Sequence, residues 1–358
     1  MPFEADVAVI GGGPAGAVAA LTLAKLGLRT MLLEGRPTPI WKIGETLAPE
    51  SRQILQALGV WNQFEKDGHL PSVGNCSVWG SDDILFKDFI FNPHGCAFQL
   101  NRARFEELLQ NAAENAGSLV WRDAPVQSFE RRREGWDLAA GKKSLRARWL
   151  IDASGRRSIV ARRLGFPRLI LDRLVAIYAL GAAKRGNDQD NRTLVEARPD
   201  GWWYTARTPS GQRTFALQTD AELLAREEWR TSGWLRKRVQ KTLHLGSILE
   251  TYGYTFPALP RLTSAHSGRI QPYHGEGWLA VGDAAQSFDP ISGQGIFAAL
   301  LSGKRAARAL AKDWPQTGTA LTEYALWLEW LWKRFLNDRR AYYETERRWP
   351  HHSFWQRT

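Results

Sequence analysis

The chain has 358 residues, 44% of them hydrophobic, and a formal net charge of +11. That length allows one large domain or two intertwined ones with an ample core, and no apolar run approaches the ~18 residues of a membrane helix. The two cysteines, Cys76 and Cys96, lack metal-ligand spacing, so no metal is expected and reduced thiols in a cytoplasmic protein are the expected state.

The N-terminus carries Glu4 and Asp6 and enters a strand directly, which predicts no secretory leader. Val7 to Ile10 is an apolar, β-branched run, the pattern of a buried parallel strand. Gly11, Gly13 and Gly16 then form G-x-G-x-x-G, and Pro14 to Leu26 reads as an alanine-rich helix closed by Gly27. Glycines here permit a tight turn and let bare N–H groups, with Pro14 and Ala15 in the first turn, approach a pyrophosphate at the positive end of the helix. A second strand, Thr30 to Leu33, ends at Glu34, where a carboxylate can accept from an adenosine ribose hydroxyl, with Gly35 and Arg36 beside it. Strand, glycines, helix, strand and terminal acid together make a dinucleotide-binding βαβ unit.

Three later segments suggest that the dinucleotide is FAD rather than NAD. Leu150 to Gly155 sets Asp152, Ala153 and Gly155 after a strand that begins near Ala147. Trp278 to Ala285 is another buried strand, ending in Gly282 and Asp283, whose carboxylate suits a ribityl hydroxyl. Pro290, Gly293, Gln294, Gly295 and Ile296 then lead into a helical run, Phe297 to Leu310. A glycine-rich helix start suits the anionic N1–C2=O edge of a reduced flavin.

Charge is uneven: Glu130 to Arg168 is strongly basic, with Arg131, Arg132, Arg133, Lys142 and Lys143 on expected hairpin turns. Such a face is either simply solvated or attracts an acidic protein or anionic cofactor. No nucleic-acid motif accompanies it, so nucleic acid is not an expected partner. The 17 tryptophans are mostly packing residues, though a tryptophan-rich surface can also line an aromatic channel.

The order of these motifs resembles the FAD-dependent aromatic monooxygenase and halogenase superfamily over essentially the whole chain. The resemblance implies a p-hydroxybenzoate hydroxylase type α/β fold. A Rossmann-like FAD-binding domain, 1–75, 96–165 and 265–312, would interleave with a β-sheet substrate domain, 76–95 and 166–264. A helical segment, 313–358, would follow. Strands are expected at Leu174 to Leu180, Thr193 to Ala197 and Thr214 to Gln218, with Leu321 to Phe335 helical and packed over the substrate side. The same resemblance puts Arg102 near the phosphate–ribityl side of FAD and Val126 backbone against adenine.

Lys42-Ile-Gly-Glu-Thr-Leu-Ala-Pro49, containing Gly44, Glu45 and Thr46, resembles the flavin strap of tryptophan halogenases and their relatives. Gly74 to Ser81, Asp88 to Gly95, Gly201 to Tyr204 and the tail Glu346 to Pro350 with Phe354 and Trp355 are similar to the LodB/GoxB-type flavoproteins. Those flavoproteins, and a related hydroxylase of quinohemoprotein amine dehydrogenase maturation, modify a tryptophan inside a partner protein to yield a tryptophylquinone cofactor. The resemblance therefore implies a monooxygenase in which reduced FAD and O2 form a C4a-hydroperoxide that attacks an aromatic ring. The expected partner is a precursor protein bearing the target tryptophan. Electrons would come from NADPH or NADH, docking transiently, or from a separate flavin reductase, because no second dinucleotide fingerprint occurs.

Halogenation, small-molecule aromatic hydroxylation and a non-oxygenating reductase are the alternatives. A halogenase of this kind needs a lysine on the strand after the strap, and Val73 to Gly80 has none. The halogenase motif W-x-W-x-I-P is also altered, to Trp202-Trp-Tyr-Thr-Ala-Arg-Thr-Pro209. Candidate catalytic groups are few. Glu45 either relays a proton or closes the strap structurally, and His94 is either a proton carrier or a turn residue.

Overall fold

Unbroken apolar strands need protein on both faces, and the N-terminal strands obtain it. The computed structural model describes residues 3–356. Phe3–Ile10 pairs in parallel with Thr30–Leu33 on one side and with Lys143–Asp152 on the other. Trp278–Ala280 and Leu119–Trp121 extend this parallel run, and a hairpin of Val126–Arg132 and Gly135–Ala140 joins Lys143–Asp152 antiparallel. The four helices of twelve residues or more are α1 (Pro14–Lys25), α2 (Arg102–Asn115), α3 (Gly295–Asp313) and α4 (Thr319–Glu344). α1 packs against both α2 and α3 on this sheet.

A second sheet of seven strands runs in the order Arg261–Ser264, Leu174–Gly181, Arg213–Asp220, Gly201–Arg207, Thr193–Arg198, Gly74–Val78, Leu85–Asp88. All its pairs are antiparallel except Thr193–Arg198 with Gly74–Val78. The three strands expected here from the sequence are present, each one to three residues longer than its apolar run. A small three-stranded sheet, Thr46–Leu47, Ala97–Gln99 and Leu70–Ser72, carries the strap between the two large sheets.

Leu321 to Phe335, expected helical and packed over the substrate side, is helical, but its first half packs elsewhere while Trp332 and Phe335 meet Phe288. Ala320, Leu321, Tyr324 and Leu328 join the core of the first sheet, where α4 lies against α3. The Tyr324 hydroxyl donates to the Ala280 carbonyl at 2.9 Å. Only the last turns of α4 reach the second sheet, through Tyr343 against Trp79, Leu174 and Trp202. A 26-residue helix spans about 39 Å, so one apolar stripe serves both cores in succession.

α1 and α3 meet at backbone contact. A Cβ on Gly303 would stand 2.2 Å from the Ala15 carbonyl oxygen. Gly303→Ala is therefore expected to destabilise the protein by about 1–3 kcal/mol. The denaturant midpoint measures it, and an unchanged midpoint would mean that the helices separate freely.

Candidate functional site

Three loops converge on the start of α1. Gly11 has φ +112°, and a Cβ there would lie 2.4 Å from the Ala153 carbonyl oxygen; a Cβ on Gly16 would lie 1.9 Å from the Gly11 oxygen. These glycines press the first loop against Asp152–Gly155. Gly282, at φ +55°, brings the turn Gly282–Ala284 against Ala15 in the same way. Gly13 differs. Its φ of −69° is ordinary, and no atom lies within 4 Å of where its Cβ would be. No side chain caps α1, so its first-turn N–H groups form an anion-binding end beside that open space. Gly155, Gly293 and Gly295 are equally open, and α3 also begins without a side-chain cap.

At one end of this groove the Glu34 carboxylate accepts from the N–H groups of Gly12 (2.8 Å) and Arg36 (3.0 Å). Gly35 faces Pro125, and Ala124 N–H donates to Glu34 O, so Val126 stands just beyond this corner. Gln110 of α2 donates to the Gly12 carbonyl at 2.8 Å and pins the glycine loop. Further along, Asp283 pairs with Arg156 at 3.0 Å, both partly exposed. Pro290–Ser292 is a turn of 3₁₀ helix closed by Gly293 at φ +61°, followed by Gln294, Gly295 and the half-buried Ile296.

Asp152 needs a correction. Expected at the cofactor, it is fully buried and accepts from Ser154 N–H and O–H and from Val160 N–H at 2.8 Å. Burial raises its carboxyl above the usual range against those hydrogen bonds. It ties the strand end to the short helix Ile159–Arg163 and leaves the groove to Ala153 and Gly155.

The strap closes over the second sheet through buried polar groups. Glu45, 1% exposed, accepts from Thr214 Oγ1 at 2.8 Å and from Gly44 N–H at 3.0 Å, with Tyr204 Oη at 3.5 Å. Burial pushes its carboxyl above the usual range, opposed by the Thr214 hydrogen bond and the charge of Arg102. Thr46 donates to Gln99 Oε1 at 2.9 Å and meets Tyr204 Oη at 3.2 Å, while Gln99 donates to Thr193. Burial, then the neighbouring Glu45, raise the Tyr204 phenol well above its ordinary value. Arg102 donates to Gly44 O at 2.7 Å and to Glu106 at 2.6 Å, leaving its buried Nε unpartnered. Trp41 lies against Tyr178 at the strap entrance, with ring centroids 5.6 Å apart.

His94 takes no part in this network. It sits in the turn before Ala97–Gln99, where its N–H donates to Asn92 Oδ1; Asn92 in turn donates to Glu50. The sequence reading gave no role to Gln110, Arg156, Thr193, Tyr204 or Thr214. Three of these stand on strands of the second sheet, whose polar residues become neighbours of the strap only when the sheet is laid against it. The buried Gln110 at a helix position facing the glycines carries no local motif.

The FAD binding domain family profile matches residues 4–323. A putative FAD-dependent oxidoreductase, LodB, of Marinomonas mediterranea is 29% identical over 361 residues, covering 98% of this chain and 96% of its own length. Among solved structures, the myxobacterial chondrochloren halogenase CndH matches with a TM-score of 0.89 at 24% identity, over 99% of this chain and 86% of that one. QhpG, a peptidyl tryptophan dihydroxylase essential for tryptophylquinone cofactor biogenesis, matches with a TM-score of 0.79 at 21% identity, over 99% and 78%. At such identities the two structures speak for the fold alone.

Gly13→Ala separates folding from cofactor binding, since the new methyl meets no protein atom but stands in the open space before α1. Its melting temperature without FAD should match that of the parent protein, while FAD binding, followed by flavin fluorescence, should be abolished. Retained FAD affinity would place the pyrophosphate elsewhere. His69 supplies a pH test, because its Nδ1 accepts from Asn101 N–H, which holds the N-cap of α2. Burial lowers its value from 6.5 to about 4, so this contribution is full above pH 6.5 and disappears as pH falls toward 4. Acid should thus cost at most about 3 kcal/mol at this residue. His69→Gln should flatten that part of the stability–pH profile, and an unaltered profile would reject the assignment.

Proposed function

Because the chain belongs to the FAD binding domain family, we propose that it is a monooxygenase that hydroxylates a tryptophan side chain of a partner protein during tryptophylquinone cofactor biogenesis. The chain is an FAD-dependent oxidoreductase with the p-hydroxybenzoate hydroxylase-like α/β fold shared by flavin-dependent halogenases and hydroxylases. The finer reading draws support from similarity to LodB along nearly the full length of both chains and from the fold shared with QhpG.

The groove fits FAD: an uncapped helix start, a glycine whose Cβ site is empty, and an acid at the second strand end. Gly13 to Gly16 would hold the pyrophosphate, with Glu34, Gly35, Arg36 and Val126 at the adenosine. Arg102, Asp283 and the strap residues Gly44, Glu45 and Thr46 would lie on the ribityl side, and Pro290 to Ile296 along the isoalloxazine. Bound FAD would supply the activation of O2, with NADPH, NADH or a flavin reductase as electron source.

The chain's own contribution is placement and dryness. The buried Glu45 of the strap can keep a proton at a carboxyl oxygen beside Tyr204. An indole ring is electron-rich, so a sparse acid–base inventory suffices. The remote contacts of a protein substrate can fix the ring in place, which a free amino acid lacks.

The observation that favours hydroxylation over halogenation is the strand Gly74–Val78. It offers no lysine, only Asn75, Ser77 and the buried Cys76, whose thiol burial pushes up to about 11. The test incubates the enzyme, reduced FAD, air and the unmodified precursor protein, then weighs tryptic peptides. One or two added oxygen masses on a single tryptophan are expected, with none for Gly13→Ala. Added bromide should leave no brominated product. Efficient oxidation of a free phenol with the precursor untouched, or a bromine isotope doublet, would overturn the proposal.

A further inference from the structure

The loop along the isoalloxazine does not hold its shape alone. Asp289, 0% exposed, directs one carboxyl oxygen to its own loop, accepting from Ile291 N–H at 3.0 Å. Its other oxygen accepts from Tyr343 Oη at 2.8 Å and Arg339 Nε at 3.2 Å, both on the last turns of α4. The Arg339 guanidinium lies 4.7 Å from the Tyr343 ring centroid and 3.8 Å from Asp172. Trp202 of the second sheet donates its indole N–H to the same Tyr343 oxygen at 3.1 Å. Phe288 packs on Trp332 and Phe335 of α4, and Ile291 packs against the cluster around Tyr343. Each residue flanking the Asp289–Pro290 pair is thus gripped by α4.

We infer that Asp289, Arg339 and Tyr343 are positioning residues, through which the C-terminal helix holds the 290–295 loop in the shape that presents its N–H groups to the flavin. None of the three needs to touch substrate. A fully buried carboxylate is stable only when its lone pairs are met. Removing either α4 partner leaves that oxygen of Asp289 with a single donor, so the carboxylate, and the loop whose Ile291 N–H it accepts, is held less firmly. Turn geometry at Pro290–Ser292 and the open glycines Gly293 and Gly295 would then shift together. The arrangement also explains the second sheet's share in it, since Trp202 orients the Tyr343 hydroxyl so that its proton goes to Asp289. The inference rests on FAD occupying this groove and not on what substrate is oxidised.

Three variants test it: Tyr343→Phe, Arg339→Gln and Asp289→Asn. The control is Glu346→Gln, which loosens the same tail at its Gly80 and Arg348 contacts but does not touch Asp289. FAD dissociation constants are measured by fluorescence quenching, and the midpoint potential of the bound flavin by dye equilibration. Hydrogen exchange of the 291–295 amides is followed in the cofactor-free protein. Tyr343→Phe and Arg339→Gln should each weaken FAD binding by about tenfold, the order of one charged hydrogen bond. They should shift the flavin potential and speed amide exchange in the loop. Glu346→Gln should lower the melting temperature and leave potential and loop exchange as in the parent. If all four variants alter stability alone, the residues are ordinary packing and the inference fails. Should Asp289→Asn not fold, the other two still decide. If the parent protein itself binds no FAD, the cofactor assignment fails first and is recognised as such.

Discussion

Everything in the cofactor half depends on backbone meeting backbone around the first turn of α1. Gly11, Gly16, Gly282 and Gly303 each occupy a point where a Cβ would overlap a neighbouring atom. Together they let the strand tips, α1 and α3 close to a spacing that ordinary side chains forbid. Small residues make the close approach possible, with five alanines among the twelve residues of α1 beside the buried Leu21 and Leu23, and the starts of α1 and α3 both come against the Gly282 turn, through Ala15 and Ala299.

Helix starts show how the fold separates structure from function. α2 is capped by Asn101, and the first N–H groups of α4 are met by Asp313. Three shorter elements are met by buried carboxylates: Asp152 serves Ile159–Arg163, Glu196 serves His244–Tyr252, and Asp289 serves its 3₁₀ turn. Among the described helices of twelve residues or more, α1 and α3 alone lack a side-chain partner at their first turn, and both begin at the glycine groove. Uncapped N–H groups cost free energy unless water or a ligand meets them. Their coincidence at one place is a stronger signal than either helix by itself.

The strap works by the opposite rule. Glu45, Thr46, Gln99, Thr193, Tyr204 and Thr214 come from five separate strands and the connection before the first of them, and satisfy one another out of water. Buried polar networks of this kind rigidify only when fully satisfied, so the strap's position is tied to the register of the second sheet. The two large sheets are thereby held in one frame, with α4 providing a second tie at Asp289.

Local chemistry made much of this legible in advance. The βαβ unit with Gly11, Gly13, Gly16 and Glu34 could be read from the chain because a tight turn, a helix start and a strand end each depend on adjacent residues. The strands near Leu174, Thr193 and Thr214 were visible as apolar runs for the same reason. Three-dimensional packing decided the rest. Asp152 looked like a ligand because it follows a strand, yet the N–H groups of a helix eight residues on bind it instead. α4 showed an apolar stripe, but a stripe does not name the surface it will cover. Gln110, Arg156 and the Asp289–Arg339–Tyr343 group lie far apart in the sequence from what they touch. A hydrogen bond across fifty residues leaves no local pattern, because only the folded chain brings its donor and acceptor within 3 Å.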